Sequence, residues 1–167
     1  MQYLWLTLKH KWFVAWAGLR IGVPCWRLLI HDWTKLLPRD LLAYNRQFFG
    51  AADRPAEFIA AWVRHQNAHP HHWEYWVPRT GHNRCTHPYP DNEPIPMPLW
   101  AVREMVADWI GASRAYEGAW PSRGDWPWLK QNFHSIRVHE KTRRYLYEVL
   151  RGQGFSAADW GVRGEGI

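Results

Sequence analysis

The stretch Leu99–Tyr116 reads LWAVREMVADWIGASRAY, and it decides the fold class of the chain. Apolar side chains recur in it at steps of three and four residues, the period of one helix face. They are Leu99, Val102, Met105, Val106, Trp109 and Tyr116. Pro98 precedes the stretch and Gly118 follows it, as is typical of a helix start and a helix end. The stretch therefore predicts an amphipathic α-helix.

The same spacing predicts helices on both sides of this one, and period-two alternation typical of strands is absent. An N-terminal helix ends before Gly22 and Pro24, and its predicted core stripe consists of Trp5, Leu8, Trp12, Ala15 and Leu19. Further helices are predicted over residues 24–37, 38–49 and 55–69, and a last one runs to Gly152 with Phe133, Ile136, Leu146, Val149 and Leu150. We expect an all-α fold of about six helices, packed orthogonally or as a bundle.

Length and composition favour one compact domain. The chain has 167 residues, of which 47% are hydrophobic and 22% charged, and these values exclude disordered, collagenous and membrane-spanning chains. We expect one domain over residues 1–155 and a flexible tail over residues 156–167. The apolar run at residues 12–19 is too short for a membrane span and lacks a signal-peptide cleavage site. Two cysteines are compatible with a reducing compartment, so we expect a cytoplasmic protein without a membrane partner.

Polar residues within the apolar helix faces are the candidates for chemistry. His10, His31, Asp32, His65 and Asp108 each interrupt a predicted apolar face. A buried unpaired charge is costly, and facing helices of a bundle often supply ligands to one ion that compensates it. We therefore predict a metal site in which Asp32 and Asp108 hold the same ion, although a single such residue is more often an ordinary core group.

The adjacent pair His31 and Asp32 is followed by Lys35, which lies on the same helix side and could meet a substrate phosphate. The run His31-Asp32-Trp33-Thr34-Lys35 resembles the His-Asp-x-x-Lys signature of the HD-domain phosphohydrolase superfamily. That superfamily has an early His, the His-Asp pair, further His residues and a late Asp. Here the matching residues in chain order are His10, His31, Asp32, His65, His71 or His72, and Asp108. The resemblance implies an HD-like orthogonal helical bundle, with these residues as metal ligands.

A second cluster lies at residues 65–76, HQNAHPHHWEYW, which has four His within eight residues. This segment, with MVADW at residues 105–109, resembles a family of small bacterial and phage proteins of uncharacterised activity. His65 and His69 share a face if the helix continues, and Pro70 lets His71 or His72 turn back towards them. Glu74 could be a general base or could fix an imidazole tautomer. A surface His cluster is the alternative.

Imidazole and carboxylate ligands without thiolate suit Mn, Fe, Co, Ni or Zn, with Mg possible, as one or two divalent ions. A separate zinc site at His82, Cys85 and His87, in the proline-rich loop at residues 77–98, lacks an obvious fourth ligand.

These residues lead to three functional hypotheses. The first is a metal-dependent phosphohydrolase acting on a nucleotide or another small phosphate ester, with Lys35 neutralising phosphoryl charge. The net charge of +6 favours such an anionic partner. The second is a mixed-valent di-iron oxygenase, which the resemblance also implies. The third is a non-catalytic nucleic-acid-binding protein with a structural His cluster, which we favour less. The sequence indicates no oligomeric state.

Overall fold

The computed structural model describes residues 2–78 and 93–160, and within them the fold is all-α, as predicted. The seven α-helices of these residues are α1 (Gln2–Ile21), α2 (Cys25–Ile30), α3 (Pro38–Phe49), α4 (Pro55–Ala68), α5 (Leu99–Tyr116), α6 (Pro127–Asn132) and α7 (Glu140–Gly152). Short 3-10 turns lie at Trp33–Leu36, Trp73–Trp76, Phe133–Ser135 and Ala157–Trp160. The predicted bounds of α3 and α5 are confirmed.

Helix α5 is the centre of the fold, and α1 packs along it. The two backbones approach closely at Gly111, where an added Cβ would lie 2.6 Å from the Val14 nitrogen. The main core joins α1, α5, α6 and α7, and a smaller cluster of Tyr3, Leu41, Tyr44 and Ala61 joins α1 to α3 and α4. Apolar contacts on both sides therefore fix the position of α1.

The predicted core stripe of α1 was wrong. Trp5 is 70% exposed and Trp12 is 71% exposed, and Leu8 and Leu19 also face outward. The buried face is the opposite one and contains Tyr3, Thr7, His10, Val14, Ala17, Gly18 and Ile21. Because both faces of α1 are apolar, helical spacing alone does not distinguish the inner face from the outer one.

The prediction of one continuous helix over residues 24–37 was also wrong. Helix α2 ends at Ile30, and Asp32 has a left-handed backbone (φ 54°) before the 3-10 turn begins. The Lys11 ammonium donates to the carbonyl oxygens of Leu29 and His31, which have no helical partner at this break. The break turns the His31 and Asp32 side chains into the interior, where both are buried.

The last predicted helix is divided in the same way. Helix α6 ends at Asn132, and α7 starts at Glu140, where the His139 ring accepts a hydrogen bond from the Lys141 amide. Between them the backbone is extended at Ile136, whose side chain enters the main core. Burial of the Ile136 side chain thus accompanies a break between α6 and α7 in place of one continuous helix.

The predicted flexible tail starts too early. The Asp159 carboxylate accepts hydrogen bonds from the amides of Ser156 and Gly124, and Trp160 stacks on Phe133 in the core. Residues 156–160 therefore belong to the folded domain, and residues 161–167 lie outside the described part. The zinc candidates His82, Cys85 and His87 lie outside it too. None of the described helices combines the length and the hydropathy needed to cross a membrane.

Candidate metal centre

Side chains from five segments meet at one buried point between α1, α4 and α5. Helix α1 contributes His10, the break after α2 contributes His31 and Asp32, and α4 contributes His65. The turn after α4 contributes His71 and His72, and α5 contributes Asp108. His10, His31, Asp32, His65 and His71 are each at most 1% exposed. The structure thus brings together all seven metal ligands predicted from the sequence, in two groups that could each hold an ion.

The first group consists of His10, His31, Asp32 and Asp108. The His10 Nε2 atom lies 3.1 Å from Asp32 Oδ2 and 3.0 Å from Asp108 Oδ1. The His31 Nε2 atom lies 3.3 Å from the same Asp108 oxygen and 3.4 Å from His10 Nε2. Asp32 and Asp108 therefore face a common point, although they are far apart in the chain.

The second group consists of Asp32, His65, His71 and His72. The Nε2 atoms of His65 and His71 each lie 3.4 Å from Asp32 Oδ1, and the Nε2 atoms of His65 and His72 are 2.8 Å apart. Both His71 and His72 are present, whereas the sequence left open which one turns back. Asp32 belongs to both groups. Its Oδ2 atom faces His10 of the first group, and its Oδ1 atom faces His65 and His71 of the second group and also lies 3.5 Å from His31 Nε2.

The spacing of these nitrogen and oxygen atoms suits binding to a common metal ion better than hydrogen bonding to one another. Atoms bound about 2.1 Å from one ion are about 3.0–3.4 Å apart in octahedral or tetrahedral geometry. Asp32 Oδ1, His71 Nε2 and Asp108 Oδ1 have neighbours at such distances, yet each is buried without a hydrogen bond among the described residues. Buried polar atoms almost always have a bonding partner, and a metal ion between these atoms would be such a partner.

Glu104 lies one helical turn before Asp108 and was missed by the sequence analysis. It is 1% exposed, its Oε1 atom lies 3.1 Å from His31 Nδ1, and its Oε2 atom accepts a hydrogen bond of 2.8 Å from Arg27. A carboxylate on Nδ1 keeps the proton there and leaves Nε2 free as a ligand. Glu104 with His31 and His71 is a third group able to hold an ion. The sequence signal that could have identified Glu104 is its position one turn before Asp108 in the same predicted helix.

Thr34 positions His65, a second candidate ligand, in a way the sequence did not suggest. Its hydroxyl lies 2.9 Å from His65 Nδ1 and 2.9 Å from His69 Nε2. One hydroxyl can accept from His65 and donate to His69, which leaves His65 Nε2 directed at Asp32. His69 shares the His65 face, as predicted, but it supports this ligand and is not a member of either ligand group.

The charges of the centre are strongly coupled. Burial raises the pKa of Asp32, but the positive charges of His31 and Lys35 outweigh burial and hold this pKa well below its usual value. Burial likewise raises the pKa of Asp108, but the close His10 and His31 rings outweigh burial and hold this pKa well below its usual value. Burial lowers the pKa of His65 despite the nearby Asp32 carboxylate. Burial lowers the pKa values of His10, His31 and His71, but the neighbouring carboxylates outweigh burial and raise them. The carboxylates and His65 thus have the protonation states that bind metal, whereas His10, His31 and His71 would release protons when an ion binds.

Lys35 and Glu74, predicted to act on substrate, both line the cavity beside the centre. The Lys35 ammonium is buried and lies 2.6 Å from Asp32 Oδ2. Glu74 lies in the 3-10 turn Trp73–Trp76, and its Oε2 atom is buried without a hydrogen bond in the described structure. Burial raises the pKa of Glu74 above its usual value. Neither residue belongs to a ligand group.

The cavity measures about 800 Å³ and opens onto both ligand groups through His10, His71, His72 and Asp108. Its walls are aromatic on two sides. One side is formed by Tyr3, Tyr44, Phe48, Phe49, Phe58 and Trp62, and the other by Trp73, Trp109 and Trp128. A small molecule with an apolar or aromatic part can therefore reach the centre.

Comparison with known proteins gives one family and no further relative. No curated protein and no solved structure matches the chain. A family model described as "Family of unknown function (DUF5662)" matches residues 1–152, which contain every residue of the centre. The chain belongs to this family, DUF5662.

Proposed function

We propose that the chain is a metal-dependent phosphohydrolase in which Asp32 would be a ligand of two divalent ions, one in each ligand group. The observation that carries this proposal is the position of Asp32 in both ligand groups, with Oδ2 facing His10 and Oδ1 facing His65 and His71. Two ions that share a carboxylate are a common arrangement for displacement at phosphorus. The chain order of the ligands is also the order that the resemblance to the HD-domain superfamily implies.

Divalent ions bound here would polarise phosphoryl oxygens and lower the pKa of a bound water towards neutrality. The protein's own groups supply the remaining requirements. Glu104 holds the His31 tautomer and Thr34 holds that of His65, so both rings present Nε2 to the centre. Lys35 lines the cavity, and its ammonium group can neutralise negative charge on a phosphoryl group that approaches the centre.

Glu74 is suited to donate a proton to the leaving group of the substrate. Glu74 lines the cavity, its buried Oε2 atom has no hydrogen-bond partner among the described residues, and burial raises the pKa of its carboxyl group. A carboxyl group with a raised pKa keeps its proton nearer to neutral pH. Glu74 can then protonate the leaving oxygen at the moment the bond to phosphorus breaks.

The cavity lining supports a substrate with little charge beyond one phosphate. Lys35 is the one Lys or Arg among the described lining residues, whereas aromatic rings form much of the wall. A polyphosphate would need more cations for its negative charge. A nucleotide with one phosphate, or another small phosphate ester with an apolar group, fits this lining.

The test is metal loading followed by a screen of phosphate esters. We expect the protein purified without chelator to release inorganic phosphate with added Mn or Mg, and Asp32→Ala to abolish release. Trp12→Ala, at the exposed face of α1, is the matched control and should retain activity. No turnover with any of Mg, Mn, Fe, Co, Ni or Zn overturns the proposal. Turnover that requires iron and oxygen supports the oxygenase instead, and salt-dependent nucleic-acid binding that survives Asp32→Ala supports the binding protein.

A further inference from the structure

The exposed face of α1 is an apolar stripe that is largely uncovered in the described structure, where Trp120 contacts it at Trp16 with ring centroids 4.4 Å apart. It consists of Trp5, Leu8, Trp12, Trp16 and Leu19, each at least 41% exposed. These residues recur at steps of three and four, so they lie on one side of the helix. We call this surface the tryptophan face. Single exposed apolar residues need no explanation, but a contiguous row of them usually marks an interaction site.

The tryptophan face continues onto α2. Lys11 donates to the carbonyl oxygens of Leu29 and His31, which holds the end of α2 beside α1. Leu29 is 78% exposed and Ile30 is 46% exposed at this end. Exposed apolar side chains therefore lie on α2, which packs beside α1, as well as on the tryptophan face.

The charges around the tryptophan face have one sign. Residues 1–31 contain Lys9, Lys11, Arg20 and Arg27 and no Asp or Glu. Lys9 and Arg20 are exposed, each four residues after an exposed tryptophan of α1. Arg20 also stacks on Trp16, with its guanidinium carbon 3.9 Å from the ring centre. The surface thus combines indole rings, aliphatic side chains and cations without a compensating acidic group on either helix.

We propose that the tryptophan face docks onto the surface of an anionic lipid bilayer. Tryptophan rings prefer the headgroup region, leucine side chains enter the acyl boundary, and Lys and Arg attract anionic headgroups. The helix lies in the plane of the interface, with its His10 face and the metal centre kept inside the protein. This docking departs from the expectation, drawn from the sequence, that the chain has no membrane partner.

Other occupants fit the charges less well. A second copy of the chain would place Lys9 and Arg20 against equal charges, with no acidic partner on α1 or α2. Nucleic acid would require more cations than the few beside this apolar row. Residues 79–92 and 161–167 have Tyr89, Val162 and Ile167 as their large apolar side chains, too few to cover the row.

The test is co-sedimentation of the full chain with vesicles of phosphatidylcholine alone or mixed with phosphatidylglycerol. We expect binding to the mixed vesicles and much weaker binding to phosphatidylcholine. The double variant Trp5→Gln/Trp12→Gln should bind at least about tenfold more weakly, because two indoles no longer enter the interface. Lys9→Gln should weaken binding about fivefold, on the mixed vesicles only.

The matched control is Ile59→Gln, which changes an exposed apolar residue of α4 away from the tryptophan face. It should bind the mixed vesicles as the wild type does. Absence of vesicle binding, or equal loss of binding in Ile59→Gln, overturns the proposal. A wild-type dimer that Trp5→Gln/Trp12→Gln converts to a monomer also overturns it, since the face is then a contact between copies. Retention on DNA or RNA that the same double variant abolishes overturns it in favour of nucleic acid.

Discussion

The two faces of α1 have similar apolar content and opposite roles. The inner face buries His10, Val14 and Ala17 against α5, whereas the outer face exposes Trp5 and Trp12. Hydropathy favours the outer face as the core, because it has the larger apolar side chains. The inner face is buried because His10 meets the other ligands of the centre and because Gly111 lets α5 approach. Apolar surface area alone therefore does not decide the orientation of this helix, because the ligand chemistry of His10 and the close backbone approach at Gly111 also contribute.

The largest expected effect comes from comparing two single substitutions, one on each face of α1. His10→Ala removes a ligand of the first group, so we expect loss of the ion there and of hydrolytic activity. Trp12→Ala should leave metal content unchanged and change the free energy of unfolding by less than about 0.5 kcal/mol. Elemental analysis measures the metal content, and chemical denaturation measures the free energy of unfolding. A Trp12→Ala protein that loses its metal would show that the outer face supports the centre, contrary to this comparison.

A smaller effect is expected from Thr34→Val, which keeps the side-chain shape and removes the hydroxyl between His65 and His69. His65 then loses the group that holds its tautomer, and metal affinity should fall by about 10- to 100-fold. Thr142→Val is the matched control, because its buried hydroxyl accepts from the Met97 amide far along the chain from the ligands. It should lower stability without changing metal affinity, measured by competition with a chelator. Equal affinity losses in both variants would mean that Thr34 has no positioning role.

Gly111→Ala tests the packing of the inner face. The new Cβ would lie 2.6 Å from the Val14 nitrogen and 2.9 Å from its Cα, and backbone atoms cannot yield as a flexible side chain can. We expect a loss of about 1–3 kcal/mol in the free energy of unfolding, measured by urea denaturation. Gly152→Ala, at a position with open space around the added Cβ, should not be destabilised.

The effect that is smallest at neutral pH concerns the protonation of His69. Burial lowers the pKa of His69 to about 4 from an ordinary value of 6.5. In the pH window between these two values the unfolded chain binds the proton and the folded chain does not, so stability falls as the pH falls. In metal-free protein, the stability advantage of the wild type over His69→Gln should shrink by about 2–3 kcal/mol from pH 6.5 to pH 4. A constant difference across this window would contradict a buried neutral His69.

The candidate ligands that the structure brings together could be predicted from the sequence, because each of them interrupts an apolar helix pattern or lies in a dense His cluster. Helix α5 and its Asp108 were predictable for the same reason, with Pro98 and the periodic apolar residues marking the element. The break at Asp32 could not be predicted, since residues 24–37 keep a helical apolar pattern and the left-handed turn is fixed by the partners of the buried carboxylate. Glu104 and Thr34 act through His31, His65 and His69, and such roles depend on distances that only the folded chain has.

The central claim is that Asp32 joins two metal ions in one centre, and the metal content of three proteins tests it most directly. We expect two divalent ions per chain in the wild type, none in Asp32→Ala, and one in Asp108→Ala, because Asp108 belongs to the first group alone. Elemental analysis after loading and removal of free metal gives these numbers. An Asp32→Ala protein that keeps the wild-type metal content, or a wild type that binds no ion, would contradict the account.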